Sequence, residues 1–245
     1  MATRRADLLL VERGLFESRA KARAAIEAGG VTADGAAVVR AAQLVAVDAE
    51  ITAAPAHPWV GRGGLKLEHA LGLWPIPVRD AVVLDVGAST GGFTEVCLAH
   101  GVARVFAVDV GHGQLHVSLR TDPRVVDLSG VDARDLTAAT IPQSPSLVVC
   151  DASFIGLAKV LPAALALAAP GAHLVALVKP QFEVGPGLVG KGGIVRDEGA
   201  RAAALSAVVD WLELQGWSIQ AAADSPITGG DGAREYLVWA VTRAV

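Results

Sequence analysis

The stretch Val82-Val-Leu-Asp-Val-Gly-Ala-Ser-Thr-Gly-Gly-Phe-Thr94 reads as a strand, a glycine-rich turn and the start of a helix. Residues 82 to 86 are apolar except for Asp85, as expected of a strand covered on both faces. A helix is expected across 92–100. Further strands follow at 104–108, 124–126, 147–150 and 173–178, then a helix at 200–214 and late strands at 218–222 and 236–241. Strands alternating with helices predict an α/β domain of the doubly wound kind.

Asp85-Val-Gly-Ala-Ser-Thr-Gly-Gly then gains a chemical meaning. Glycines at the end of a first strand let the backbone approach a ligand closely. Asp109 ends the next strand, where a carboxylate can accept hydrogen bonds from a ribose diol. The rival reading is a tight turn with no ligand. The spacing is not that of a dinucleotide site, G-x-G-x-x-G, and D-x-G-x-x-x-G-G suits S-adenosylmethionine (SAM) better. Backbone at Gly87, Ala88 and Gly91, with Ser89 or Thr90 nearby, is expected to hold it, and Phe93 belongs to the same block. Asp132, after the third strand, is placed to contact an adenine amino group. Asp85 either orders the loop or faces the methionine amine.

Before this domain the composition changes. Residues 4 to 52 hold Arg4, Arg5, Arg13, Arg19, Lys21, Arg23 and Arg40. Ser18 is a helix N-cap candidate and Gly29-Gly30 a stop, so 19–28 reads as a helix with Arg19 and Arg23 on one face. Asp34-Gly35 between short apolar runs predicts a hairpin. Pro55 and Pro58 mark a linker, and a helix is expected from Gly64 to Leu73 with Leu67, Leu71 and Trp74 as its stripe. The expected division is 1–54, a linker at 55–63, and 64–245.

The whole chain has 245 residues, 52% apolar, with 21 basic against 25 acidic side chains, giving −4. That excludes a disordered chain and a uniformly basic nucleic-acid coat, but not a local basic patch. Cys97 and Cys150 lie in apolar stretches and read as reduced core thiols. They cannot make a cysteine zinc site, and no metal is expected. The start of the sequence lacks the apolar block of a signal peptide. Residues 160–178 carry no Asp, Glu, Lys or Arg, but Pro162, Pro170 and Gly171 fit a buried helix, a turn and a strand better than a membrane span. A cytoplasmic protein without membrane contact is expected.

Four ionisable residues stand out by position: Lys66 on the helix before the sheet, Asp151 and Lys179 after strands, and Glu235 at the start of a late strand. Ligands in open α/β sheets bind at the carboxyl ends of strands, which favours Asp151 and Lys179. Position alone does not bring the four together.

The chain resembles the TlyA, or hemolysin A, family of ribosomal RNA 2′-O-methyltransferases. Arg13-Gly-Leu-Phe-Glu-Ser-Arg and Ala28-Gly-Gly-Val-Thr-Ala-Asp-Gly look like its S-four-type RNA-binding domain, a small α+β unit. Trp59-Val60 and Arg62-Gly-Gly-Leu-Lys-Leu resemble its linker and following helix. Gly87-Ala-Ser-Thr-Gly-Gly-Phe-Thr, Asp109-Val-Gly-His-Gly-Gln-Leu, Asp122-Pro-Arg-Val, Asp151-Ala-Ser-Phe-Ile, Val178-Lys-Pro-Gln-Phe-Glu-Val-Gly and Glu235-Tyr-Leu-Val-Trp follow in the family's order. The resemblance implies a Rossmann-like, FtsJ-like methyltransferase domain and a Lys66-Asp151-Lys179-Glu235 tetrad. It also implies SAM as methyl donor and, as substrate, a cytidine ribose in ribosomal RNA of the large subunit or of both, in assembled subunits. The chain departs from the family at His57-Pro58 and Gly61. It also departs in the loop 229–234, which lacks a common Asn.

A ribose 2′-hydroxyl is protonated at neutral pH, so a residue must orient it and accept its proton as the methyl moves. Alternating lysines and carboxylates make a coupled network suited to that task. Lys179 is expected as base or main orienting group, Asp151 and Glu235 as partners of the lysines, and Lys66 as a second contact or a tuner of Lys179. Arg5, Arg19, Lys21 and Arg23 are expected to meet RNA phosphates. Arg62 and Lys191 are further candidates, Lys191 from a glycine-rich loop at 185–193 that could close over RNA. A non-enzymatic assembly factor, a pore-forming hemolysin and a small-molecule methyltransferase are the competing classes. Nothing in the sequence gives the oligomeric state.

Overall fold

The computed structural model describes residues 2–229 and 232–243. Gly230 and Asp231, in the loop before Glu235, lie outside the described residues. The chain divides into two compact units, Met1–Pro58 and Trp59–Val245.

The first unit contains β1 (Thr3–Arg5), α1 (Ala6–Glu12), α2 (Arg19–Glu27), β2 (Val31–Ala33), β3 (Ala36–Ala37), β4 (Leu44–Ala46) and β5 (Ile51–Ala53). Strand β1 pairs antiparallel with β4, and β2 lies between β3 and β5. Ser18 opens α2 by accepting a hydrogen bond from Lys21 N at 3.3 Å. The helix stops where Gly30 N reaches back to Ala25 O at 2.9 Å over Gly29, whose φ is 75°, a C-terminal motif that favours glycine. Asp34 and Gly35, both at positive φ, join β2 to β3, as a two-residue hairpin turn of this twist requires. Leu9, Leu10, Ala22, Ala25, Ile26 and Val31 form the unit's own buried core.

The second unit opens with Trp59, whose ring lies so close to Gly64 that a Cβ there would meet its Cγ at 2.5 Å. Its elements are α3 (Gly63–Leu73), β6 (Val82–Val86), α4 (Gly92–Ala99), β7 (Arg104–Asp109), α5 (Val117–Arg120), β8 (Val125–Ser129) and β9 (Leu147–Cys150). They continue with α6 (Leu157–Val160), α7 (Pro162–Ala166), β10 (His173–Val178), α8 (Pro180–Glu183), α9 (Glu198–Leu214), β11 (Trp217–Asp224) and β12 (Tyr236–Thr242). The seven strands run in the order β11-β12-β10-β9-β6-β7-β8. From β8 to β10 all neighbours are parallel, and β12 runs antiparallel to both β10 and β11.

Alternation along each strand sends side chains to two separate cores. Leu84, Val86, Val148 and Leu174 face one layer, with Leu157, Leu161 and Leu212. Val83, Val105, Val149 and Leu177 face the other, with Leu67 and Phe93. Both faces are covered, which is why the strands read as unbroken apolar runs. Strand β8 is longer than its apolar run suggested: at the edge of the sheet it continues through Asp127 to Ser129, beyond the expected end at residue 126. The uncharged stretch 160–178 folds as short helix, turn and strand, and no helix of the described residues is long and apolar enough to cross a membrane. Cys97 and Cys150 are buried free thiols. Burial raises both thiol pKa values, that of Cys150 to about 12, so neither is a nucleophile.

Candidate active site

The chain leaves β6 toward β7 and β8, then returns to β9 on the other side of β6. Such a reversal of strand order opens a crevice beyond the carboxyl ends of the strands. Register brings Cys150 of β9 opposite Val86 of β6, so Gly87 and Asp151 are the first residues past the sheet on either side.

Gly87 has φ 82°, and a Cβ on it would meet Ala152 Cα at 2.8 Å. The amides of Gly87 and Ala88 both donate to Val108 O, at 2.9 and 3.0 Å. Ser89, at φ 50°, donates its amide to Asp109 Oδ2 at 2.8 Å, and Gly111 donates to Asp109 Oδ1 at 2.7 Å. Asp109 thus ties the glycine-rich turn to the loop after β7. Gly91, at φ 98°, starts α4. A cleft of about 540 Å³ is lined by Gly87, Ser89, Asp109, Asp132, Asp151 and the apolar Val110, Val131, Ala133 and Ile155. Ala88, Thr90 and Phe93 line an adjoining hollow of about 260 Å³, together with Asp151, Ser153 and Lys179. A backbone cradle, an acid at the second strand tip and apolar walls suit an adenosine-bearing ligand.

Two of the residues expected around the cofactor have protein partners of their own, and Asp85 takes the loop-ordering alternative. Asp85 is fully buried beneath the turn, where its Oδ2 accepts from Thr94 Oγ1 at 2.6 Å. Burial, with smaller contributions from Asp151 and Asp109, pushes its carboxyl up to about 7, against the pull of Thr94. Asp132 caps the short turn Ala133–Asp135 and holds the Arg134 guanidinium at 3.0 Å, which keeps its carboxyl down at about 2. It lines the cleft, but as half of an ion pair with Arg134, a residue the sequence did not single out.

Lys66, Asp151, Lys179 and Glu235 come together at one end of the crevice. Because β12 is antiparallel to β10, Tyr236 pairs with Val178. The residue before β12 therefore lies at the same sheet end as the residue after β10. Lys179 Nζ is 2.6 Å from Asp151 Oδ1, Lys66 Nζ is 2.6 Å from Glu235 Oε2, and Lys66 Nζ is 3.8 Å from Asp151 Oδ1. Lys66, Lys179 and Glu235 are buried, at 6%, 6% and 4% exposure, whereas the Asp151 side chain keeps 19%. Two cations and two anions compensate one another, which permits burial that a lone charge would not tolerate.

Two residues beside this cluster escaped the sequence reading. Lys179 Nζ also donates to Ser153 Oγ at 2.7 Å and to Asp151 O at 3.0 Å. Phe154 is 91% exposed at φ 66°, its ring 5.3 Å from that of Phe182. An exposed aromatic in a strained backbone conformation is the signal a structure gives for function. In the sequence both sat inside the block Asp151-Ala-Ser-Phe-Ile without a spacing to mark them.

Of the other expected contacts, Arg62 donates to Thr228 O at 2.7 Å, holding the chain ahead of Glu235. Lys191 is exposed in its loop. In the first unit Arg5 and Arg19 both bond to Asp7, and Lys21 pairs with Glu17 at 2.6 Å. Arg23 is exposed and makes no ion pair among the described residues.

A family profile described as FtsJ-like methyltransferase matches residues 59–242. The chain is 47% identical over 241 residues to the 16S/23S rRNA (cytidine-2′-O)-methyltransferase TlyA of Mycobacterium tuberculosis, covering 98% of this chain and 90% of that one. It is 38% identical over 234 residues to a Brachyspira hyodysenteriae protein named Hemolysin A, covering 95% and 98% of the two chains. A solved protein from Streptococcus thermophilus assigned as a hemolysin superposes with a TM-score of 0.78 at 37% identity, covering 99% of this chain and 90% of that one.

Proposed function

The chain belongs to the TlyA family of FtsJ-like methyltransferases, and on that premise we propose that it methylates the 2′-hydroxyl of a cytidine in ribosomal RNA, using S-adenosylmethionine. The substrate is ribosomal RNA of the large subunit, with the small subunit as a second target, presented in assembled subunits in the cytoplasm. The observation that carries this reading is the buried Lys66-Asp151-Lys179-Glu235 cluster, which opens through Asp151 and Lys179 to the hollow beside the cleft.

The glycine cradle fits the cofactor. Gly87, Ala88 and Ser89, their amides already held by Val108 and Asp109, let the cofactor lie close against the backbone, Asp109 accepts the ribose hydroxyls, and the apolar walls at Val110, Val131 and Ile155 take the adenine. When bound, S-adenosylmethionine supplies a methyl group already activated on sulfur. What remains for the protein is alignment and proton transfer. Lys179 orients the 2′-hydroxyl and, once its ammonium has given up one of its three protons to solvent, accepts the hydroxyl proton as the methyl moves. Asp151 holds Lys179 in place from 2.6 Å, and Glu235 does the same for Lys66, the second lysine of the network. The first unit contacts RNA phosphates through Arg5, Arg19, Lys21 and Arg23, while Arg62 and Lys191 contribute from the second.

The test is methyl transfer from isotope-labelled S-adenosylmethionine to unmodified large and small ribosomal subunits, assayed separately, with the labelled nucleoside identified by mass. Label on a cytidine ribose is expected, with Lys179→Ala reducing the rate at least ~10²-fold, the scale of a lost acid–base group. A Lys179→Ala protein with full activity overturns the assignment. A methylated base, or no label on either subunit, overturns the substrate.

A further inference from the structure

We propose that Asp7 is a positioning residue that fixes Arg5 and Arg19 as a preorganised clamp for RNA phosphates; this rests on reading the first unit as the RNA-binding one. Arg5 ends β1, Asp7 is the second residue of α1, and Arg19 is the first of α2. Three elements thus converge on one carboxylate. Asp7 is 1% exposed, whereas the Arg5 and Arg19 side chains are 41% and 56% exposed.

The hydrogen bonds are specific. Arg5 Nε donates to Asp7 Oδ1 and Arg5 Nη2 to Oδ2, both at 3.0 Å. Arg19 Nε and Nη2 donate to Oδ2 at 3.2 and 2.8 Å. The two guanidiniums hold the Asp7 carboxyl well below the usual carboxylate range, so it stays ionised. Arg5 alone neutralises Asp7 with a two-bond fork. Arg19 therefore leaves one positive charge in excess at the surface. A guanidinium has five N–H donors, and each arginine commits one on Nε and one on Nη2 to Asp7, leaving three. Those donors are held by a rigid fork rather than swinging on a long flexible chain, which lowers the ordering cost of binding a phosphate.

The neighbouring charges strengthen the assignment. The first unit has seven basic and seven acidic residues, so it has no net attraction for RNA as a whole. Arg4 pairs with Glu12, Lys21 pairs with Glu17, and the Arg13 guanidinium is spent on the carbonyls of Val47 and Ala49. At Asp7, by contrast, two guanidiniums share one carboxylate. Arg23, one turn beyond Arg19 and on the same helix face, widens the patch.

The experiment titrates the full chain with deproteinised large-subunit ribosomal RNA at several salt concentrations. Asp7→Asn removes a negative charge from a phosphate-binding surface, so a plain charge patch predicts tighter binding. A clamp predicts binding about fivefold weaker and a salt slope lower by up to about two, the loss of two phosphate contacts. Arg19→Lys keeps the charge and breaks the fork, and is expected to weaken binding about threefold. Unchanged or tighter binding by Asp7→Asn, with its unfolding profile intact, overturns the proposal. Should Asp7→Asn unfold the first unit, Arg19→Lys decides: unchanged binding overturns the clamp, and weakened binding supports it. The double variant Arg5→Ala/Arg19→Ala separates the two levels. If it binds as the parent does, the RNA-binding reading of this unit fails. If it binds weakly while Asp7→Asn does not, the clamp alone fails.

Discussion

Single side chains in this protein are read best through what surrounds them, and Asp85 is the clearest instance. Its sequence position, four residues into an apolar strand, suggested a ligand for the cofactor or an organiser of the loop. It is buried under that loop and bonded to Thr94, and its carboxyl titrates near 7 instead of the ordinary value near 3.9. The consequence for stability follows from proton counting. Between pH ~4 and ~7 the unfolded chain has released this proton and the folded chain retains it. Raising the pH through that window therefore favours unfolding, by up to about 1.4 kcal/mol per pH unit. Below pH ~4 the effect is absent, and above ~7 it is fully developed. Asp85→Asn, which can still accept from Thr94, removes the titration. It is expected to match the parent's unfolding midpoint at pH 4 and exceed it at pH 8. Thermal unfolding across that range checks this, and a constant difference between the two proteins would refute it.

At the scale of elements, the strands and the hairpin were legible because burial on both faces and positive φ leave composition signatures. Residues 82–86, 147–150 and 173–178 are bounded as their apolar runs predict. The tetrad was legible only as four separate positions. What unites it is the antiparallel setting of β12, which brings Glu235 beside Lys179, and no residue pattern announces strand direction. Nothing in the sequence set Asp7 apart from the other acids of residues 4–52. Its burial between two arginines depends on how α1 and α2 meet. The glycines allow a matched comparison of conformation against proximity. Gly87 and Gly101 both have φ 82°. A Cβ on Gly101 would meet nothing nearer than the end of the Arg79 side chain at 3.5 Å, whereas on Gly87 it meets the Ala152 backbone at 2.8 Å. Gly101→Ala is expected to cost the backbone strain alone, about 1–2 kcal/mol, with cofactor affinity unchanged. Gly87→Ala adds displacement of the segment that carries Asp151, and should lose cofactor binding and methyl transfer as well. Denaturant unfolding and cofactor titration on both variants measure this, and equal cofactor affinity would show that the cradle is not tight.

On the scale of the whole molecule, every residue proposed for catalysis falls in one of the two units. The crevice, the cradle and all four tetrad residues belong to Trp59–Val245, while the first unit has a core of its own. The chain carries a net charge of −4, so general attraction cannot bring it to a polyanion, and association must depend on local groups. If those groups are in the first unit, catalysis and substrate capture are separable. A chain lacking residues 1–58 is expected to bind S-adenosylmethionine within about twofold of the full chain. Its methylation of ribosomal subunits should fall by more than ~10²-fold, the loss expected when several phosphate contacts are removed. The parent should lose activity steeply as salt rises, and the shortened chain should start low and respond little. A small-molecule methyltransferase behaves otherwise, because removal of the first unit would leave its activity and its weak salt dependence as they were. Isotope-labelled methyl transfer by both proteins, at two salt concentrations, distinguishes the two cases in one assay.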